Sequence, residues 1–170
     1  MLDPDLVLVA VVDAFKSIDE LATLMCDDAG ASTIFGHTFT YGEENTLTKV
    51  VWTAPSPSLI VAYTDLLSGN FDGQTMWKHC LEVYIRPKSG VSNVFSDSNP
   101  DVARVPSTPH IWWMMINLPV LGGAQPLRYT TLLSGALQLM DLPTLSYKAV
   151  GDDGADLFIG KLVFPEYGDQ

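Results

Sequence analysis

The segment Trp77 to Arg86 constrains this chain more than any other. It alternates, with Leu81, Val83 and Ile85 on one face and His79, Cys80, Glu82, Tyr84 and Arg86 around the other. A period of two is the mark of a half-buried strand. Ser58 to Thr64 is short, apolar and β-rich, and reads as a central strand. Between them, Leu67 to Thr75 carries Ser68, Gly69, Asn70, Asp72 and Gly73 and reads as a turn. Together the three segments predict an antiparallel hairpin.

The rest of the chain supplies partners for that hairpin. Asp3 followed by Pro4 is a helix start, an acidic cap before a proline at the first helical position. Apolar residues at Leu6, Val9, Ala10, Phe15, Ile18, Leu21 and Leu24 then recur at three- and four-residue steps, predicting helix from Pro4 to about Met25. Ser17 and Glu20 stand at capping-box spacing, so a break or kink is expected near Lys16. Ser32 to Tyr41 favours a strand or hairpin through its β-branched and aromatic residues. Gly42 to Asn45 reads as a turn, and Thr46 to Thr53 as a short helix or a strand.

Thr108 and Pro109 repeat the cap-plus-proline signal ahead of a helix from His110 to Leu118. Pro119 to Pro126 reads as a loop centred on Gly122 and Gly123, while Leu127 to Leu142 suits either a helix or an irregular strand. Thr144 to Val150 and Asp156 to Phe164 flank the turn Gly151-Asp152-Asp153-Gly154 and predict a second hairpin. Phe158, Leu162 and Phe164 share one face of its last strand and Leu157, Ile159 and Val163 the other, which predicts cover on both sides. The fold class is α+β: a mostly antiparallel sheet with an N-terminal helix and a second short helix packed on it. Residues 1–170 read as a single domain, with a long arm or loop at about 87–109.

Composition narrows the function. The 170 residues hold 9 Lys and Arg against 20 Asp and Glu, a net charge of −11, which disfavours a basic nucleic-acid-binding domain. Apolar types make up 47% of the chain, enough for a buried core. No run is long and apolar enough for a membrane span, and no basic region precedes the first apolar stretch, which argues against a secretory signal. Cys26 and Cys80 belong to no paired motif, so the expectation is two buried thiols in a reducing compartment; sequence spacing leaves a disulfide open.

Chemical motifs are absent. His37, His79 and His110 form no metal-ligand spacing. Gly151 to Asp156 places its acids side by side, and the twelfth position of a calcium loop would fall on Leu162, so a hairpin turn is the better reading. There is no nucleophile elbow, phosphate loop or dinucleotide fingerprint. The expectation is therefore no catalytic residue, no metal and no cofactor. Trp112, Trp113, Met114 and Met115 are of a different interest. Adjacent helical positions diverge by about 100°, so one indole must face away from the other. The segment is either a core helix or one partly buried by a neighbouring subunit, because Trp and Met are enriched at interface centres.

Three segments carry a family likeness: Val11 to Leu21; Pro55 to Tyr63 with Trp77-Lys78-His79 to Arg86; and Leu157 to Glu166. Across about half of its length the chain resembles the tail terminator, or tail completion, proteins of long-tailed bacteriophages and related proteins of the virion neck. The long 87–109 loop and the 127–142 segment depart from that pattern and leave a neighbouring head–tail connector open. The resemblance implies a structural virion protein without catalysis. Such proteins form a ring, typically a homohexamer, on the tail tube. The ring ends tube growth and joins tail to head, while genome DNA passes through it without sequence-specific binding. The partners implied are further copies of the chain, the tail tube protein and a connector or stopper protein, with no membrane. The location implied is the virion tail or neck, assembled in the host cytoplasm. On this reading the candidate interface residues are Trp77, His79, Arg86, Arg104, Ile111, Trp112, Trp113 and Met115. The alternatives are a head-completion or tube protein of the same particle and, from another class, a small-molecule-binding or enzymatic α+β domain.

Overall fold

Helix α1 (Pro4–Lys16) begins as its sequence demands: the Asp3 carboxylate accepts from the Asp5 amide at 2.9 Å, and Pro4 opens the first turn. In this computed structural model residues 1–38, 57–71, 73–86, 108–140, 143–149 and 156–166 are described. The expected single helix to Met25 is two helices, because the chain leaves helical geometry at Ser17 and Ile18 before α2 (Asp19–Leu24). The break sits where the spacing placed it, but the capping box does not form. Ile18 occupies the cap of α2 with no side-chain hydrogen bond. Ser17 instead closes α1, donating to the Ala14 carbonyl at 2.6 Å, and accepts from the Leu121 amide at 2.6 Å.

The sheet has five strands in the order β1 (Ile34–Thr38), β2 (Ser58–Phe71), β3 (Gln74–Arg86), β7 (Asp156–Pro165) and β6 (Thr144–Ala149). Every pairing is antiparallel except β1 with β2, which is parallel. Sequence and structure thus agree on an α+β fold. The β2–β3 hairpin is longer than expected. Residues 67–71, 74 and 75, read as turn, pair as strand, and only 72 and 73 separate the two strands. Gly73 takes φ +79°, as a tight two-residue hairpin turn needs. Small polar residues are acceptable in a ribbon that faces water, so their presence did not mark the strand ends.

The core lies on one face of the sheet. Val7, Leu8, Val11 and Phe15 of α1 pack there with Ile34, Leu59, Val61, Leu81, Val83, Ile85, Leu162 and Phe164. A third helix, α3 (Thr108–Asn117), adds Ile111, Met114 and Met115. The ambiguous segment after it is neither a long helix nor a long strand. It holds one 3-10 turn (Leu127–Tyr129) and two short paired strands, β4 (Thr131–Leu132) and β5 (Leu137–Gln138). The turn between them takes three consecutive left-handed residues, Leu133, Ser134 and Gly135. On the other sheet face Ile60, Ala62 and Tyr84 are buried as well. Lys161, however, is exposed and Val163 half-buried, so the outer side of β7 is not sealed there as expected. The side chains at 157–159 lie outside the described residues, as do 39–56 with their predicted turn and element, 87–107 of the long loop, and the turn at 151–154.

Two glycines set how closely the helices approach. At Gly36 a methyl would stand 3.3 Å from Leu8 and Val12 of α1. At Gly160, buried in β7, the Trp112 ring occupies the space of a side chain. Overpacking a core contact typically costs about 1–3 kcal/mol. Gly160→Ala is expected to lower stability in urea by about that much, and adding Trp112→Leu should restore part of it, since the smaller side chain vacates the contested space.

Candidate functional site

The bulge in β2 decides what gathers at the end of the sheet. Up to Tyr63 opposite Leu81, β2 and β3 pair in simple register; one residue later Asp65 stands opposite Cys80 and Leu66 opposite His79. Thr64 is the inserted residue, and its hydroxyl donates to the Cys80 carbonyl at 3.1 Å. In an unbulged ladder Thr64 would pair with Cys80, and Asp65 would stand opposite His79 on the core side. With the insertion, Leu66 takes that place and Asp65 turns to the opposite face.

His79 is fully buried. Period-two alternation puts it with Leu81, Val83 and Ile85, not with Cys80 and Glu82 as the sequence reading had it. It is nevertheless satisfied at both nitrogens. Tyr63 Oη lies 2.7 Å from Nδ1, and Glu166 Oε2 lies 3.0 Å from Nε2. The tautomer that satisfies all three has Tyr63 donating to Nδ1 and Nε2–H donating to the carboxylate. Glu166 also accepts from the Leu2 amide at 2.9 Å, and its other oxygen stands 3.3 Å from the N-terminal amine. The Glu166 amide donates to the Trp77 carbonyl at 2.8 Å. One carboxylate therefore ties the start of α1, the end of β7 and the middle of β3 together.

The electrostatics follow from these contacts. Burial works against the Glu166 charge, but the hydrogen bonds from Leu2 and His79 and the nearby amine outweigh it and hold the carboxyl below its ordinary value. Burial, with Cys80, Glu166 and Asp65 nearby, pushes the Tyr63 phenol up to about 12. A histidine between a tyrosine and a glutamate has the members of an acid–base relay. Here both ring nitrogens are engaged and buried, so the cluster links β2, β3 and the residue after β7 through consecutive hydrogen bonds. Among the described residues no three His, Cys, Asp or Glu side chains gather as a metal set, and no helix is long and apolar enough to cross a membrane.

The seven described residues of the eight singled out from sequence do not share one surface. His79, Ile111 and Met115 are interior, and Trp112 lies half-buried against Gly160. His79, Ile111 and Met115 leave almost no side-chain surface, while Trp112 keeps part of its ring at the surface. Arg86 is half-buried at the end of β3 opposite Ser58, and Arg104 lies outside the described residues. Two remain on the surface. Trp113 is 50% exposed, its ring stacked on His110 at 5.6 Å, and Trp77 is 37% exposed. The indoles of Trp112 and Trp113 thus diverge, one inward and one outward, as helical geometry requires.

Further exposed apolar side chains stand at positions the sequence reading had placed in a turn or in the apolar repeat of the first helix. Leu67, in the segment read as a turn, is 51% exposed, and Leu6 and Val9 on α1 are each 55% exposed. Pairing of β1 with β2 ends at Tyr63 and that of β7 with β3 at Lys78. The four pairs from Ser68–Trp77 to Phe71–Gln74 have no third strand among the described residues. The hairpin is thus a projecting ribbon with Leu67 and Trp77 at its root. Asp72-Gly73 between two β-rich runs was the available signal for it.

Two titrations test these contacts. Because the Glu166 carboxyl is held below its ordinary 4.5, its contribution to stability is present above that value and fades as pH falls through the folded-state value. Glu166→Gln should therefore be less stable than wild type in urea near neutral pH, with the difference shrinking under acid. Tyr63 is shifted the other way, from 10.0 to about 12, so its contribution is present below 10.0 and lost as pH rises to about 12. A phenolate absorbance step at about 12 should disappear in Tyr63→Phe. In comparison with known proteins, the chain matches no protein-family model and no curated protein.

Proposed function

We propose that this chain is a structural subunit of a bacteriophage particle, a tail terminator or close relative in the virion neck, working as a ring of identical copies. The observation that carries this reading is the projecting β2–β3 ribbon with exposed Leu67 and Trp77, on a subunit that also exposes Leu6 and Val9 on α1. A closed ring needs two different patches on each copy, one meeting the other on its neighbour. Exposed apolar side chains at two separate places supply such a pair. The resemblance of the N-terminal helix, the Trp-Lys-His strand and the final strand to tail terminator proteins gives the ring its place in the particle. There it ends tube growth and presents a surface for the filled head.

The same reading needs no catalytic residue and no cofactor. The Tyr63–His79–Glu166 cluster is accounted for as a clamp that fixes the root of the ribbon. The net charge of −11 suits a channel through which DNA slides without being held, because negative walls repel phosphate. The partners on this reading are the tail tube protein on one side of the ring and a connector or stopper protein on the other.

The test is electron microscopy of phage lysates in which this gene is disrupted, with and without a wild-type copy supplied. The expected result is filled heads beside unjoined tails or tails of irregular length, rescued by the wild-type copy. Normally joined particles would overturn the proposal. Empty heads beside tails of normal length would replace it with a head-completion role.

A further inference from the structure

The geometry points to the outer face of the β2–β3 ribbon, at Leu67, Met76 and Lys78, as the surface by which one copy docks on the α1 helix of the next, at Leu6 and Val9. This rests on the self-assembly reading above and names the two surfaces that would meet. Leu67 stands directly opposite Lys78 in the ladder, and Met76 stands opposite Gly69, so the three side chains and the glycine share one ribbon face. The Lys78 side chain lies over Gly69, its Cε 3.4 Å from the position of a methyl there, between Leu67 and Met76. Asp65 is on the same face, one step nearer the body of the sheet.

A two-stranded ribbon is marginal in water by itself, and this one carries an exposed Leu at its root. A contact that covers Leu67 would stabilise it. The helix α1 presents the matching surface. Its inner side is buried from Val7 to Phe15, while Asp5, Leu6, Val9, Asp13 and Lys16 are exposed. Leu6 and Val9 are one turn apart and are bracketed by Asp5 and Asp13. The apolar pair on the helix meets the apolar pair on the ribbon, and the acids meet Lys78. Charge sets the orientation of this pairing: Lys78 is favoured beside Asp5 and Asp13 of the helix, and Asp65 on the same ribbon face beside Lys16, the exposed base of the last helical turn. The two surfaces differ, so the contact is heterologous and repeats around a ring.

The experiment uses the full chain with Cys26 and Cys80 changed to Ser. Leu67→Cys is made in one preparation and Val9→Cys in another, and the two are mixed under mild oxidation. A disulfide between them can form only between copies. The expected result is a cross-linked heterodimer, much weaker when the Val9→Cys partner is replaced by Thr23→Cys on the exposed side of α2. In parallel, light scattering of the otherwise unmodified chain is expected to show oligomers. Lys78→Glu should weaken them about tenfold, and Asp13→Lys in the same chain should restore them. Oligomers that survive Leu67→Glu and Lys78→Glu, with no preferred cross-link to position 9, would overturn this docking surface and leave the ring reading standing. A wild-type chain that stays monomeric at every concentration would overturn both.

Discussion

The pairing of β2 with β3 is the contact on which the rest of the molecule depends. It runs from Ser58 opposite Arg86 to Phe71 opposite Gln74, and both β1 and β7 attach to its flanks. Its register is not uniform. The residue inserted at Thr64 reverses which side chains face the core beyond that point. Because side chains in a strand alternate, one extra residue exchanges the whole set between the two faces. Leu66 rather than Asp65 therefore stands beside His79, and the hydrophobic side of the hairpin continues past the bulge. The bulge also separates the part of the hairpin that belongs to the sheet from the part that projects.

Helices meet this sheet through missing side chains as much as through present ones. Gly36 lets α1 approach β1, and Gly160 leaves room for Trp112 of α3 on β7. A large residue over a glycine fills volume that neither partner could fill alone, and interiors tolerate few gaps. Ser17 then holds the turn after α3 against the break between α1 and α2. The helical layer is thus joined to the sheet at both flanks, and what stays exposed on α1 stays exposed because the core already has its share.

The polar cluster and the ribbon belong together. Glu166 receives hydrogen bonds from His79 and Leu2, and its amide bonds to the carbonyl of Trp77, the residue at which the ribbon leaves the sheet. Buried polar groups that are fully satisfied make a region rigid, because no partner can be lost without cost. The root of the ribbon is thereby fixed to the start of α1 and the end of β7. The cluster thus joins residues from the start, the middle and the end of the described chain at one place in the sheet.

Several features were legible in the sequence because they depend on neighbours along the chain. The Asp3–Pro4 helix start, the break near Lys16, the two hairpins and the α+β class all follow from capping, periodicity and turn residues. Reading alternation strictly from Leu81 would also have placed His79 inside. Tertiary structure alone decided the remainder. Glu166 lies far along the chain from Leu2, His79 and Tyr63, and no spacing announces their meeting. The fit of Trp112 over Gly160 depends on where α3 lands. The length of the ribbon depends on where β1 and β7 stop pairing, which is a property of the sheet rather than of the hairpin. Local sequence determines which elements form, because backbone preferences are local. Which apolar side chains remain in water is set only when the elements are packed, because burial is a property of the assembled surface.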